Sequence, residues 1–116
     1  MLQKTEFIWF DGKLVPWDQA QVHVLAHGLH YGTGVFEGIR AYACPDGSSA
    51  VFRLPEHSKR LVNSAKILGI DMPYTADEIS KAIVETVVAN KLSEGYIRPL
   101  AFAGEGDMGA VSYTHL

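Results

Sequence analysis

Cysteine is almost absent from this sequence. Cys44 stands alone, so no intrachain disulfide can brace the fold, and a reducing, cytoplasmic setting fits best. An excess of either charge is missing too: a formal net charge of -3 gives no electrostatic reason to expect nucleic acid or an acidic membrane as partner. No stretch of about 18 or more apolar residues occurs, which argues against a membrane-crossing helix. The opening "MLQKTEFIWF" has too short an apolar run for a signal peptide, and charges interrupt it. Several chemical signatures are lacking as well. There is no Gly-Lys-Ser/Thr ending to make a P-loop, no H-E-x-x-H pattern and no cysteine cluster to support a metal.

What is present suits one folded domain. The 116 residues, 47% of them hydrophobic and 20% charged, can enclose a real but modest core. "EFIWF" is rich in strand-forming aromatics, stops at the turn signal "DG", and resumes as "KLVPW", which predicts a hairpin. "VHVL" reads as a further short extended piece, and "GIRAYAC", broken by "PDG" before "SAVFRL", predicts a second hairpin. The periodicity then changes. Pro55 suits the first turn of a helix, Leu61, Ala65 and Leu68 recur at helical spacing, and Gly69 supplies a stop. Thr75 and Glu78 form a capping-box pattern for a second helix through Ile79, Ile83 and Val87 to about Leu92. "GYIRPLAFAG" reads as a strand in which Pro99 forces an edge or a local irregularity. The order predicts an α+β fold, a two-layer sandwich of a mainly antiparallel sheet with two helices.

The stretch "HVLAHGLHYGTGVFEGIRAY" concentrates four glycines and three histidines. A dinucleotide fingerprint fails because Gly32, Gly34 and Gly38 are spaced one residue too wide for G-x-G-x-x-G. For His23, His27 and His30, packing and local hydrogen bonding are favoured over a metal site. Alternation is more informative. If "VFEGIRAY" is extended, Phe36, Gly38, Arg40 and Tyr42 share one face, and Val35, Glu37, Ile39 and Ala41 the other. A wall with an aromatic ring, a gap and a cation can seat a small molecule that has an apolar body and an anionic end. In "GYIRPLAF" the same rule puts Tyr96, Arg98, Leu100 and Phe102 on one face. A phenol and a guanidinium two residues apart can both reach a carboxylate, although a solvated arginine at a strand edge fits the pattern equally. Arg60, four residues after Glu56, reads as an ordinary surface ion pair.

"HYGTGVFEGIRAY", "VFRLPEHSKRLVNSAKILGI" and "YIRPLAF" resemble, in order and spacing, the signatures of branched-chain amino-acid aminotransferases. The likeness runs from about Phe7 to about Gly109, and "FIWFDGKLVPWDQAQVHV" is similar to the family's opening hairpin. The resemblance implies the small domain of the D-amino-acid-aminotransferase-like fold, over residues 1–110. It also implies pyridoxal phosphate as cofactor, with leucine, isoleucine or valine and glutamate or 2-oxoglutarate as substrates. On this reading Arg60 would bind the cofactor phosphate, and Phe36 and Gly38 would line the substrate side-chain pocket. Tyr31 would complete that pocket in the neighbouring subunit of a homo-oligomer. Tyr96 would help hold the substrate α-carboxylate, Arg98 would receive the distal carboxylate of glutamate, and Arg40 would support the same region. The resemblance assigns no role to Glu37.

Family members form a Schiff base with a lysine in a second, larger domain. None of Lys4, Lys13, Lys59, Lys66, Lys81 and Lys91 matches its motif. The expectation is therefore a truncated reading frame without the large catalytic domain, inactive alone, with residues 111–116 as a tail outside the pattern. Two alternatives stand beside it. One is a related class IV enzyme, D-amino-acid aminotransferase or aminodeoxychorismate lyase; the other is a noncatalytic domain that binds a metabolite or pairs with a subunit.

Overall fold

A computed structural model of the chain describes residues 4–104 and 113–115. Strands β1 (Phe7–Phe10) and β2 (Lys13–Pro16) form the first hairpin, antiparallel, with Phe10 opposite Lys13. Asp11 and Gly12 turn it at φ of 51° and 97°, the positive values that a two-residue hairpin of the I′ kind demands at both central positions. A 3-10 turn (Trp17–Gln19) follows, and then a short helix α1 (His27–Tyr31). Neither α1 nor its surroundings match the extended piece expected at "VHVL". Val24 and Leu25 lie in a turn instead. With two glycines nearby and five residues, α1 has no hydrophobic period to announce it. It ends at Gly32 in the left-handed region, φ 67°.

Next come β3 (Gly34–Phe36), β4 (Ile39–Ala43) and β5 (Ser49–Val51), then α2 (Leu54–Ile67), α3 (Ala76–Ala89), β6 (Gly95–Ile97), β7 (Leu100–Ala103) and β8 (Tyr113–His115). Every pairing is antiparallel, with strand orders β3-β7-β8 and β5-β4-β6 beside the first hairpin. The tail expected to stand outside the pattern is thus partly described, its backbone at Tyr113–His115 pairing with β7. The expected limit near Gly109 and residues 111, 112 and 116 lie outside the described residues.

Pairing of β3 with β7 and of β4 with β6 keeps one register: Phe36 faces Leu100 and Ile39 faces Ile97. Between these pairs the ladder is interrupted. Glu37 N–H still donates to the Pro99 carbonyl at 3.0 Å, but proline has no N–H to return the bond. That is the irregularity Pro99 was expected to impose.

The helices form as their patterns dictate. Pro55 sits in the first turn of α2, and Gly69, at φ 80°, follows its end. At α3 both halves of the capping box are made: Thr75 Oγ1 accepts from Glu78 N–H, and Glu78 Oε1 accepts from Thr75 N–H. The helix stops at Ala89, earlier than expected. Asn90 then turns its amide to β1, accepting from Phe7 N–H at 2.8 Å and donating to Phe7 O at 3.0 Å. Leu61, Ile79, Ile83 and Ile39 form the buried cluster between helices and sheet, with Val35, Val51 and Ile97 packed against it. Both long helices thus cover one face of β3–β4 and β6, leaving the other face open. Among the described residues no helix is long and apolar enough to cross a membrane.

Candidate functional site

Burial along 36–42 alternates strictly: Phe36, Gly38, Arg40 and Tyr42 are exposed, while Glu37, Ile39 and Ala41 are buried. The two faces are therefore chemically distinct, as the period-two pattern requires.

On the open face, Arg40 stands opposite Tyr96, and the continuous register puts Gly38 opposite Arg98. The side chains of β6 lean diagonally across this ladder. The Tyr96 ring lies over Gly38 so closely that a methyl group there would collide with Tyr96 Oη. The sequence reads this glycine as a gap in a wall that can seat a small molecule; within this chain a phenol lies over it. Arg98 donates from Nη2 to Tyr96 Oη at 2.8 Å, and its guanidinium carbon sits 4.2 Å from the centre of the Phe36 ring. Phe36, Gly38, Tyr96 and Arg98 are thus brought together, with Arg40 on the same face. They meet on an open surface rather than in a closed cavity: Phe36 is 57% and Tyr96 54% exposed.

Phe36 also walls a groove of about 340 Å³ that continues this face beneath α1, lined by Leu29, Gly32, Gly34, Leu100 and Phe102 among others. Glycine is needed where α1 meets β7. A Cβ on Gly28 would stand 3.0 Å from the Thr33 carbonyl oxygen and 3.1 Å from that of Ala103. The groove is apolar, and the Phe36 ring that walls it carries the Arg98 guanidinium, so an aliphatic chain in the groove would have a cation close by to pair an anion. Tyr31 belongs to neither part. It is 70% exposed at the end of α1, its ring beside those of His27 and His30. His23 serves locally, its Nδ1 accepting from Leu25 N–H at 3.1 Å.

On the covered face, Glu37 lies among the core residues with only 5% of its surface exposed. A buried carboxylate needs partners, and α2 supplies two. Arg60 donates from Nε to Oε2 at 2.7 Å and from Nη2 to Oε1 at 2.8 Å, a fork-on-fork pair. His57 Nδ1 lies 2.7 Å from Oε1; since an ionised carboxylate only accepts, the ring nitrogen carries the proton. The Arg60 guanidinium, more than the His57 bond, holds the Glu37 carboxyl below its ordinary pKa against the opposing effect of burial. Glu37 in turn raises the pKa of Arg60.

The expected pairing of Arg60 with Glu56 does not form. Glu56 reaches back to Arg53 at 3.4 Å, because Arg60 is engaged across the fold by a buried and better aligned carboxylate. Glu37 and His57 are the residues that sequence reasoning missed. The signal for Glu37 was its alternation onto the apolar face with Ile39 and Ala41. Arg60 uses two of its five N–H groups on Glu37 and stays 67% exposed, which leaves donors for an outside anion such as a phosphate.

Comparisons with known proteins agree with this architecture. The family described as amino-transferase class IV matches residues 34–115. The branched-chain-amino-acid aminotransferase of Pseudomonas aeruginosa is 50% identical over 109 residues, covering 94% of this chain and 35% of its own length. Among solved structures, the Escherichia coli branched-chain amino acid aminotransferase superposes with a TM-score of 0.90 at 41% identity, covering 97% of this chain and 38% of its own. The T.th. branched-chain amino acid aminotransferase complexed with N-(5'-phosphopyridoxyl)-L-glutamate gives 0.88 at 43% identity, covering 97% and 40%. The chain spans about a third of the length of the curated relatives it matches.

Proposed function

Because the chain belongs to the class IV aminotransferases, we propose that it forms the small domain of a branched-chain amino-acid aminotransferase. The whole enzyme would move an amino group between leucine, isoleucine or valine and 2-oxoglutarate. The observation that carries this reading is the Arg98 guanidinium stacked on Phe36, whose ring walls an apolar groove. One pocket must admit both aliphatic side chains and the carboxylate-bearing side chain of glutamate. An apolar wall discriminates by only about 1–3 kcal/mol per methylene, so it accepts several aliphatic shapes. A cation at its rim pairs a second carboxylate without barring the others.

The residues have distinct roles in this reading. Phe36 and Gly38 line the side-chain pocket, Tyr96 helps hold the α-carboxylate, Arg98 takes the distal carboxylate, and Arg40 supports them from the same face. Tyr31, exposed on α1, completes the pocket of a neighbouring subunit in a homo-oligomer. Arg60 holds the phosphate of pyridoxal phosphate, and its remaining N–H donors beside the Glu37 anchor fit that group. When bound, the cofactor supplies the electron sink for amino-group transfer. The relative solved with a phosphopyridoxyl-glutamate supports both the cofactor and glutamate as ligands. No lysine of this chain is assigned to hold the cofactor, so the 116 residues alone are expected to show no turnover. The lone Cys44 suits a cytoplasmic enzyme.

The test is a chimera in which this sequence replaces the matching segment of the Pseudomonas aeruginosa relative. It should transaminate L-leucine with 2-oxoglutarate in preference to D-alanine or aminodeoxychorismate, and Arg98→Ala should raise the KM for 2-oxoglutarate more than that for leucine. A preference for either other substrate, or equal effects of Arg98→Ala on both, would refute the assignment.

A further inference from the structure

We infer that Glu37 is a positioning residue for an anion site at Arg60: it holds the guanidinium by one edge so that the opposite edge stays presented to a phosphate. The inference rests on the reading of Arg60 given above, and it gives a function to Glu37, to which the resemblance assigns none.

Four observations converge. Arg60 is mostly exposed on α2, where a long, rotamer-rich side chain gains order from whatever partner holds it. Glu37 is almost wholly buried, fixed by its place between β3 and β4, flanked by exposed Phe36 and Gly38, and by its N–H bond to Pro99. The bond between them is two-pronged, through Nε and Nη2, and that geometry sets the plane of the guanidinium as well as its place. His57 clamps the same Oε1, so the carboxylate cannot turn to release one prong without giving up a second partner. A point contact would leave the arginine free to swivel. A fork held by a buried fork cannot.

The arrangement also ties two ligand-facing surfaces together. Residues 36, 37 and 38 are consecutive, yet Phe36 and Gly38 lie on the open face while the Glu37 carboxylate reaches the helix arginine behind it. Arg60 is thereby registered to the strand that walls the groove, across 23 residues of sequence.

The test uses the 116-residue chain and the Nε–Hε signal of Arg60 by NMR, in wild type and Glu37→Gln. Glutamine keeps the shape but cannot accept through both terminal atoms. Hydrogen exchange at Arg60 Hε should be roughly tenfold or more faster in Glu37→Gln, with the dispersed amide spectrum retained. Inorganic phosphate, titrated at constant ionic strength against chloride, should shift the wild-type Arg60 signal and shift the variant's several-fold less at equal concentration. If Glu37→Gln loses its dispersed spectrum, Glu37→Asp, which keeps the charge on a shorter arm, is measured in its place with the same expectation.

Unchanged Hε exchange in the folded variant overturns the positioning role, whatever phosphate does. A wild-type Arg60 signal that ignores phosphate overturns the anion site, and with it the cofactor role of Arg60, while the exchange data still report on the clamp. Equal phosphate response in both proteins, despite faster exchange, shows a clamp that is structural only and overturns the inference.

Discussion

Substituting alanine for Gly38 should rearrange the candidate site while leaving the core of the chain intact. A methyl group at this position meets Tyr96 Oη first, with Cζ at 3.0 Å and Cε2 at 3.3 Å. Tyr96 must swing aside, and its ring is half exposed, so it can do so without disturbing the core. The losses are the Arg98–Tyr96 hydrogen bond, about 0.5–1.5 kcal/mol net, and the cation–π contact at 5.4 Å, about 0.5–1 kcal/mol at an exposed site. Against them, replacing glycine restricts the unfolded chain and returns about 0.4–1 kcal/mol. The balance is a destabilisation of about 0–2 kcal/mol. Thermal unfolding should record a Tm lower by no more than about 16 °C, using roughly 4–8 °C per kcal/mol for a domain near this size. Nuclear Overhauser contacts between the Tyr96 ring and the residue 38 α-protons should vanish. A variant that keeps those contacts, or that loses more than about 4 kcal/mol, would refute the reasoning; the latter would mean that Tyr96 is locked in place.

Two further outcomes follow from the same coordinates. Leu61→Ala removes a side chain only 1% exposed at the centre of the helix–sheet core and should cost about 2–5 kcal/mol in urea unfolding; a loss below about 1 kcal/mol would place Leu61 outside the core. Since the Glu37 pKa is lowered in the folded chain, its ionised form contributes stability that is complete above the unfolded carboxylate value, about 4.3, and fades as pH falls through the lower folded value. The stability gap between wild type and Glu37→Gln should accordingly be wide at neutral pH and narrow in acid, and a gap independent of pH would contradict the buried ion pair.

Much of the fold was legible because the signals were local. Asp11-Gly12 can turn only a tight hairpin, Thr75 and Glu78 bond each other within one helical turn, and the alternation at 35–42 needs no partner to be read. The same alternation assembled the open face correctly, since Tyr96 and Arg98 reach Phe36 and Gly38 across a single ladder. What stayed hidden depended on distance or on shape. The helix α1 has too few residues to show a period, and it docks through the bare backbone of Gly28 against β7. Arg60 had two carboxylates in prospect, a near one on its own helix and a far one between β3 and β4. Sequence spacing favours the near one, but a buried, doubly bonded acceptor wins.

Pro99 stands where the two halves of the central ladder meet, opposite the carboxylate that grips the helix. Its missing donor can be tolerated at that one point, which makes the proline a marker of alignment as much as an interruption. Adding or deleting a single residue between Gly34 and Ala41 would invert the strand, sending the acid into water and the Phe36 ring into the interior. Point changes along this segment can therefore be graded in effect, whereas any change in its length is all-or-none.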